Sequence, residues 1–373
     1  MSYTAGAFEG SMQSQLSTNR ARDDATAPFV SVVIPCLNEA NTIDHVLQNL
    51  AKQYESSKYE IVVVDGMSTD STRNIVKRFI DTHPSIRILL VDNPARNIPT
   101  ALNLGIGKSS GDIIVRMDGH SFPSPNYVHR CVELLASSEA VVVGMPWHIT
   151  AGANSLRARA IALALSHPFG VGNSKYHYSA GSAEYVDQVP FGTFGRDLWK
   201  EIGGFNEALL TNEDYEFNYR VRRRGGRLLL DGSGHCVYFA RPTMCQLARQ
   251  YLRYGFWKAQ MVKLHPLSIR WRQLVAPGFV AMSVFLAPAS YFWQPALWIL
   301  AIILLTYFSL AFLFAFLVAR KSSDLRLALL LPITFFLLHT AWGSSFLIGL
   351  FHSRTRQRRS KITGSSLDPR APS

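Results

Sequence analysis

Between residues 29 and 118 the chain repeats one pattern: a short apolar run rich in β-branched residues, then a stretch with apolar positions at helical spacing. FVSVVIP, YEIVVVD, IRILLVD and DIIVRMD supply the runs, and TIDHVLQNLAKQY, STRNIVKRFIDTH and PTALNLGIG lie between them. Runs that are apolar at nearly every position suit strands buried on both faces, and the helical stretches supply the crossovers that parallel pairing requires. The pattern predicts an α/β domain built on a mostly parallel sheet, over residues 29–240. In such sheets ligands gather at the carboxyl ends of strands, so polar residues just past each run are the candidates for chemistry.

Beyond Arg272 the pattern changes, and charge nearly vanishes over long runs. Three apolar stretches, 274–293, 295–319 and 327–351, each reach about the twenty residues needed to cross a bilayer. Tyr291, Trp293 and Trp298 cluster between the first two, as an interfacial aromatic belt would. Residues 273–352 are therefore expected to form two or three spans, the third either crossing or partly re-entrant around Pro332. The preceding stretch, 241–272, mixes aromatic and basic residues and predicts an amphipathic helix on the membrane surface.

Charge sharpens this picture. The formal net charge is +12, which alone would admit a nucleic-acid partner. The basic residues concentrate beside the apolar stretches, however: Arg249, Arg253, Lys258, Lys263, Arg270 and Arg272, then Arg320 and Lys321, then Arg354 to Arg359. That placement suits anionic headgroups, and no RNA-binding or zinc-finger signature accompanies it, so membrane lipid is the expected partner and nucleic acid is not. Three full crossings would leave the basic segment after the third stretch opposite the basic 320–326 loop, against the positive-inside tendency. Residues 1–28 and 353–373 read as polar and basic tails, expected to be disordered. The first shows no apolar run of signal-peptide length, and the globular domain is therefore expected on the cytoplasmic side of the inner membrane. Cys36, Cys131, Cys236 and Cys245 form no CxxC pair, which fits a reducing compartment.

The candidate chemistry sits at the ends of the runs. Asn38 and Glu39 follow the first, and Asp65 ends the second; acidic groups at neighbouring strand ends can hold a ribose and a base. Asp118 and His120 follow the fourth, and residues two apart in a strand share a side, so they form a candidate pair of divalent metal ligands. Glu213 and Asp214 open a helical stretch, EDYEFNYRVRRRG. The helix dipole favours acids there, and Asp214 is also a candidate general base for an acceptor hydroxyl.

In this order, VVIPCLNE, VVDGMSTD, MDGH and NEDYEF over residues 30–231 resemble the family 2 glycosyltransferases. The resemblance implies a GT-A fold, a nucleoside-diphosphate-sugar donor such as a UDP-sugar, a divalent cofactor (Mn²⁺ or Mg²⁺), and inversion at the anomeric carbon. It implies that Pro35, Asn38, Glu39 and Asp65 bind the nucleoside, that Asp118 and His120 meet the metal and diphosphate, and that Asp214 beside Glu213 is the base. Two positions depart from the family pattern: Gly66 replaces a second acid, and His120 replaces a carboxylate. The whole chain is most similar to the succinoglycan-type exopolysaccharide glucosyltransferases. That likeness implies a polyprenyl-linked or glycan acceptor, places Arg96 and Asn103 near the donor, and makes Gln250, Arg253 and Tyr254 acceptor-side residues resembling a QxxRW motif. A polyprenyl-phosphate monosaccharide transferase, a processive synthase and an inactive sugar-nucleotide-binding subunit are the rival readings.

Overall fold

The computed structural model describes residues 28–352 apart from 173 and 178–180. The two expected tails thus lie outside the described residues, except for Pro28. The first half follows the predicted alternation: β1 (Val30–Cys36), α1 (Ile43–Leu50), β2 (Tyr59–Asp65), α2 (Thr72–Thr82), β3 (Arg87–Asp92), α3 (Ile98–Lys108) and β4 (Ile113–Arg116). β1 pairs in parallel with β2 and β4, and β2 with β3. β1 and β2 are buried along their whole length, as apolar runs without alternation require. Val32, Ile34 and Val63 face a core closed by α1 and α2, while Val33, Val62 and Val64 face α3.

The second half adds β5 (Phe122–Pro123), α4 (Tyr127–Ser137), β6 (Ala140–Gly144), β7 (Trp147–Thr150), α5 (Leu156–Leu165), α6 (Pro168–Val171), β8 (Glu184–Val186), β9 (Thr193–Gly195), α7 (Arg196–Ile202), α8 (Glu213–Arg223), β10 (Arg227–Leu230) and β11 (Cys236–Phe239). The large sheet has the order β3-β2-β1-β4-β9-β6-β10-β8, and β5, β11 and β7 form a small second sheet. β9 runs antiparallel to both of its neighbours. Its entry loop therefore arrives at the carboxyl end of β4, where Arg116 donates its N–H to the Gly192 carbonyl at 3.2 Å. Chain order reverses between β1 and β4, which makes their ends the expected crevice.

Four helices complete the chain: α9 (Met244–Leu264), α10 (Val275–Ala289), α11 (Gln294–Lys321) and α12 (Leu327–Phe351). Three helical segments, Trp271–Ala289, Gln294–Lys321 and Leu327–Phe351, are long and apolar enough to cross a membrane. The first of these spans about 30 Å, offset from its apolar stretch because residues 290–293 fold into a turn that leaves Tyr291 and Phe292 exposed.

Within 241–272, where a membrane-surface helix was expected, the helix is α9 (Met244–Leu264). α9 stops at Leu264 and packs lengthwise against α12: a Cβ on Gly255 would lie 2.2 Å from the Trp342 carbonyl, and Gln260 Nε2 donates to the Gly349 carbonyl at 2.9 Å. Only glycine lets the two helices approach this closely. α12 runs unbroken through Pro332, and Leu331 and Phe335 bury against α5. Arg159 holds Asp324 at 2.8 Å just before α12, and Lys263 donates to the His352 carbonyl at 2.7 Å just after it. Both ends of α12 are thus tied, one through the Asp324 turn to α5 and the other to α9.

Candidate active site

The loops after β1 and β2 are laced together before any ligand arrives. Asn38, with φ of 57°, donates its N–H to Ser68 Oγ at 2.8 Å and accepts from Thr69 N–H at 2.9 Å. Glu39 N–H reaches Thr72 Oγ1, and Ala40 N–H reaches Asp70. Asp65 has no exposed surface; its carboxylate accepts from Ser68 N–H and from Arg73 at 2.7 Å, and Arg73 continues to Asp92. Burial pushes the Asp65 carboxyl up, but the Ser68 and Arg73 hydrogen bonds win and hold it below the usual range. Pro35 is likewise buried within β1. Asp65 and Pro35, expected at the nucleoside, both stand behind the loop surface, and the Asp65 hydrogen bonds lock its turn.

The Asp-Gly-His segment does not follow strand alternation. β4 ends at Arg116, and residues 118–121 form a turn closed by Ser121 N–H to the Asp118 carbonyl. A Cβ on Gly119 would press on Glu39 Cγ at 3.1 Å and Cys36 Cβ at 3.2 Å, so glycine lets the turn sit on the β1 loop. His120 Nδ1 lies 2.8 Å from Glu39 Oε1, while Glu39 Oε2 accepts from Thr42. The Glu39 hydrogen bond raises the imidazole pKa against the opposing effect of burial. Glu39, expected at the nucleoside, thus has one carboxylate oxygen on His120 and the other on Thr42. Among the described residues no three His, Cys, Asp or Glu side chains group closely enough to hold a metal ion. Asp118 and His120 do fit a two-residue donor set: the Glu39 contact engages Nδ1 and leaves Nε2 for ligation, as outer-shell carboxylates do. A cation there would take its remaining ligands from a diphosphate, as Mg²⁺ does at phosphate sites.

The centre of the site is a residue that motif reading passed over. Arg116, nearly buried at the end of β4, contacts Asp118 at 3.2 Å, Glu213 at 3.1 Å, and Asp214. Its guanidinium also lies 5.5 Å from the Phe191 ring centroid. Asn212, with φ of 68°, opens α8 and directs Glu213 and Asp214 toward it. Burial raises the Glu213 carboxyl pKa, and Arg116 only partly offsets this. Asp214 meets Arg116 through Oδ2. The available sequence signal was a lone arginine in the run IIVRMD: a guanidinium at the end of a buried strand needs counter-charges.

A cavity of about 1020 Å³ opens from this cluster. Arg116, Asp118, His120, Glu213 and Asp214 line one end, with Gln250, Arg253 and Tyr254 alongside. Gln250 Nε2 donates to Tyr238 and Tyr254 at 2.8 and 2.7 Å, which fixes two walls. Trp147 stacks on Tyr238 with ring centroids 4.7 Å apart. The far end is lined by Phe279 of α10, Ile302 and Tyr307 of α11, and His339 and Trp342 of α12. Arg96 is exposed in the loop before α3. Asn103, expected near the donor, braces the following segment: Nδ2 donates to Phe205 O and Glu207, while Oδ1 accepts from Trp199 and Phe205 N–H.

A switch-point crevice flanked by carboxylates, with a mostly parallel sheet behind it, defines a GT-A-type glycosyltransferase. The chain belongs to glycosyl transferase family 2, whose model matches residues 31–196, and so to the enzymes that act on nucleotide sugars. The succinoglycan biosynthesis protein ExoA of Rhizobium meliloti (strain 1021) is 30% identical over 257 residues, covering 68% of this chain and 76% of that protein. A dolichyl N-acetyl-α-D-glucosaminyl phosphate 3-β-D-2,3-diacetamido-2,3-dideoxy-β-D-glucuronosyltransferase of Methanococcus voltae is 25% identical, covering 86% of this chain and 97% of that protein. Among solved structures, the mannosyltransferase PcManGT from Pyrobaculum calidifontis, in complex with GDP-Man and Mn²⁺, shares the fold. Its TM-score is 0.56 and its identity 21%, over 89% of this chain and 97% of that one.

Proposed function

We propose that this chain transfers a hexose, with inversion, from a nucleoside-diphosphate sugar to the saccharide of a polyprenyl-linked acceptor at the cytoplasmic face of a membrane. The observation that carries the reading is the cavity, whose walls run from Asp118 and Asp214 to the apolar helices α10, α11 and α12. A pocket that joins a polar reaction centre to membrane-competent helices suits an acceptor with a sugar at one end and a lipid at the other. The relatives point the same way: one is named for succinoglycan biosynthesis and another for a dolichyl-phosphate-linked sugar.

In this reading the nucleoside rests on the laced β1 and β2 loops near Asn38 and Ser68, with Arg96 at the rim. Asp118 and His120 would hold a divalent ion, which when bound neutralises the donor diphosphate and eases its departure. Glu39 holds the His120 ring in place. Asp214, oriented by Arg116, takes the proton of the acceptor hydroxyl on a carboxylate oxygen. The hydroxyl oxygen then bonds to the anomeric carbon from the face opposite the departing nucleoside diphosphate. Arg116 fixes Asp118, Glu213 and Asp214 relative to one another, so both sides of the reaction share one anchor. Gln250, Arg253 and Tyr254 line the path of the acceptor.

The test is transfer by purified full-length protein in micelles, using UDP- and GDP-sugars, a polyprenyl-diphosphate-linked oligosaccharide, and Mn²⁺, Mg²⁺ or EDTA. One donor should turn over only with a divalent ion, and Asp118→Ala should abolish turnover. Asp214→Asn should cut turnover about 10²- to 10⁴-fold while donor affinity stays nearly unchanged. Absence of transfer with every donor, or near-normal turnover by Asp214→Asn, would sink the respective claim.

A further inference from the structure

Away from the carboxylates, the cavity wall holds a second group of charges that the reaction above does not use. Lys258, on α9, is only 2% exposed and lines the cavity. Its Nζ lies 3.5 Å from the Tyr215 ring centroid and 3.8 Å from Met261 Sδ, and it has no ion-pair partner among the described residues. A buried ammonium without a carboxylate is costly, and burial pushes this one down to about 7. Arg272 also lines the cavity, and Arg222 and Arg270 add to the positive field around Lys258. Asp187 is the one acid paired here, and both Arg270 and Arg272 share it, at 3.4 and 3.1 Å. The group therefore carries more positive charge than it can satisfy internally. Apolar residues of the membrane-competent helices, Phe279 and Ile302 among them, line the same cavity.

A cationic group and an apolar wall in one cavity fit a ligand with an anionic head and a hydrocarbon tail. Resting on the reading of a lipid-linked acceptor, we propose that Lys258 and Arg272 bind the phosphate or diphosphate that joins the carrier lipid to its saccharide. The carrier would then be held at its charged joint, with its hydrocarbon toward α10 and α11 and its sugar toward Asp214. The same phosphate chemistry could come from the donor nucleotide, so the test must separate the two sources.

Full-length protein in micelles would be titrated with farnesyl diphosphate, farnesol and UDP, reading the fluorescence of Trp271 and Trp342, which line the cavity. Farnesyl diphosphate should bind about ten- to a hundredfold more tightly than farnesol, the value of one or two charge-assisted contacts. Lys258→Met should erase that difference and leave UDP affinity unchanged, and Lys258→Arg should keep most of it. If Lys258→Met does not fold, Arg272→Gln carries the same comparison. Equal binding of diphosphate and alcohol, or a difference indifferent to both variants, overturns the proposal. Parallel loss of UDP affinity would assign the group to the donor instead and overturn it too. Because binding is read without turnover, the two readings fail separately. Lys258-dependent diphosphate binding without glycosyl transfer sinks the acceptor chemistry alone. Transfer with an unchanged acceptor KM in Lys258→Met sinks the headgroup site alone.

Discussion

The two ends of the cavity handle charge in opposite ways. At the strand ends nearly every ionised group is matched: Asp65 with Arg73, Glu39 with His120, and Asp118, Glu213 and Asp214 with Arg116. At the helix-lined end Lys258 has an aromatic face and a thioether, and two arginines share one acid. The matched end keeps its shape without a substrate, and a pre-set arrangement is what positioning and electrostatic stabilisation require. The unmatched end is completed by something that arrives. Rigidity is thus concentrated where atoms react, and unsatisfied charge where a partner must be drawn in.

That contrast can be broken most forcefully at Arg116. Arg116→Met frees three carboxylates at once and strands the buried Glu213, and breaking such a network costs about 3–5 kcal/mol. Thermal denaturation in micelles should show a large loss, partly recovered by adding Glu213→Gln. Melting at the wild-type temperature would mean that the reacting end is not held by this arginine. The next probe acts on the helix-lined end. Gly255→Leu overpacks the contact between α9 and α12, at about 1–3 kcal/mol, and displaces the wall that carries Lys258. Transfer to the lipid-linked acceptor should fall while donor hydrolysis without acceptor persists; equal loss of both would erase the distinction between the ends. The smallest effect concerns acid. The Asp65 carboxyl sits below its unfolded value of about 3.9, so its contribution is present above that pH and is lost as pH falls through the folded value. The melting temperature of the wild type should drop on acidification below about pH 4, and Asp65→Asn should start lower and depend less on pH. An unchanged acid limb in that variant would remove Asp65 from the set of locking pairs.

Much of this was legible in the sequence. The parallel strands announce themselves because burial on both faces leaves no polar position to disguise them, and Asp118, His120, Glu213 and Asp214 stand at strand or helix ends where chemistry was expected. What was hidden depends on contacts between distant positions. Arg116 meets residues almost a hundred positions away, so no local pattern marks it as the centre. Asp65 reads as a strand-end acid, and nothing in its own run shows that Arg73, the second residue of α2, holds it. Asn103 is bonded by α7 and the loop after it, through Trp199, Phe205 and Glu207, which its own sequence neighbourhood does not reveal. α9 is legible as a helix, but its composition does not reveal that Gly255 will admit the backbone of α12. The cavity itself is drawn from segments spread over most of the chain, and no spacing rule encodes such a volume.

One feature of that cavity reaches into the evolutionary history of the chain. Its lining is contributed jointly by the catalytic loops and by α9 to α12, so no seam separates an exchangeable catalytic module from a generic anchor. A chimera that joined this α/β domain to the apolar helices of a relative would meet a mismatched inner surface even if both halves folded. Changes of acceptor in this lineage should therefore have come as paired substitutions on both sides of the wall, inherited together, rather than by recombination at the boundary near residue 240.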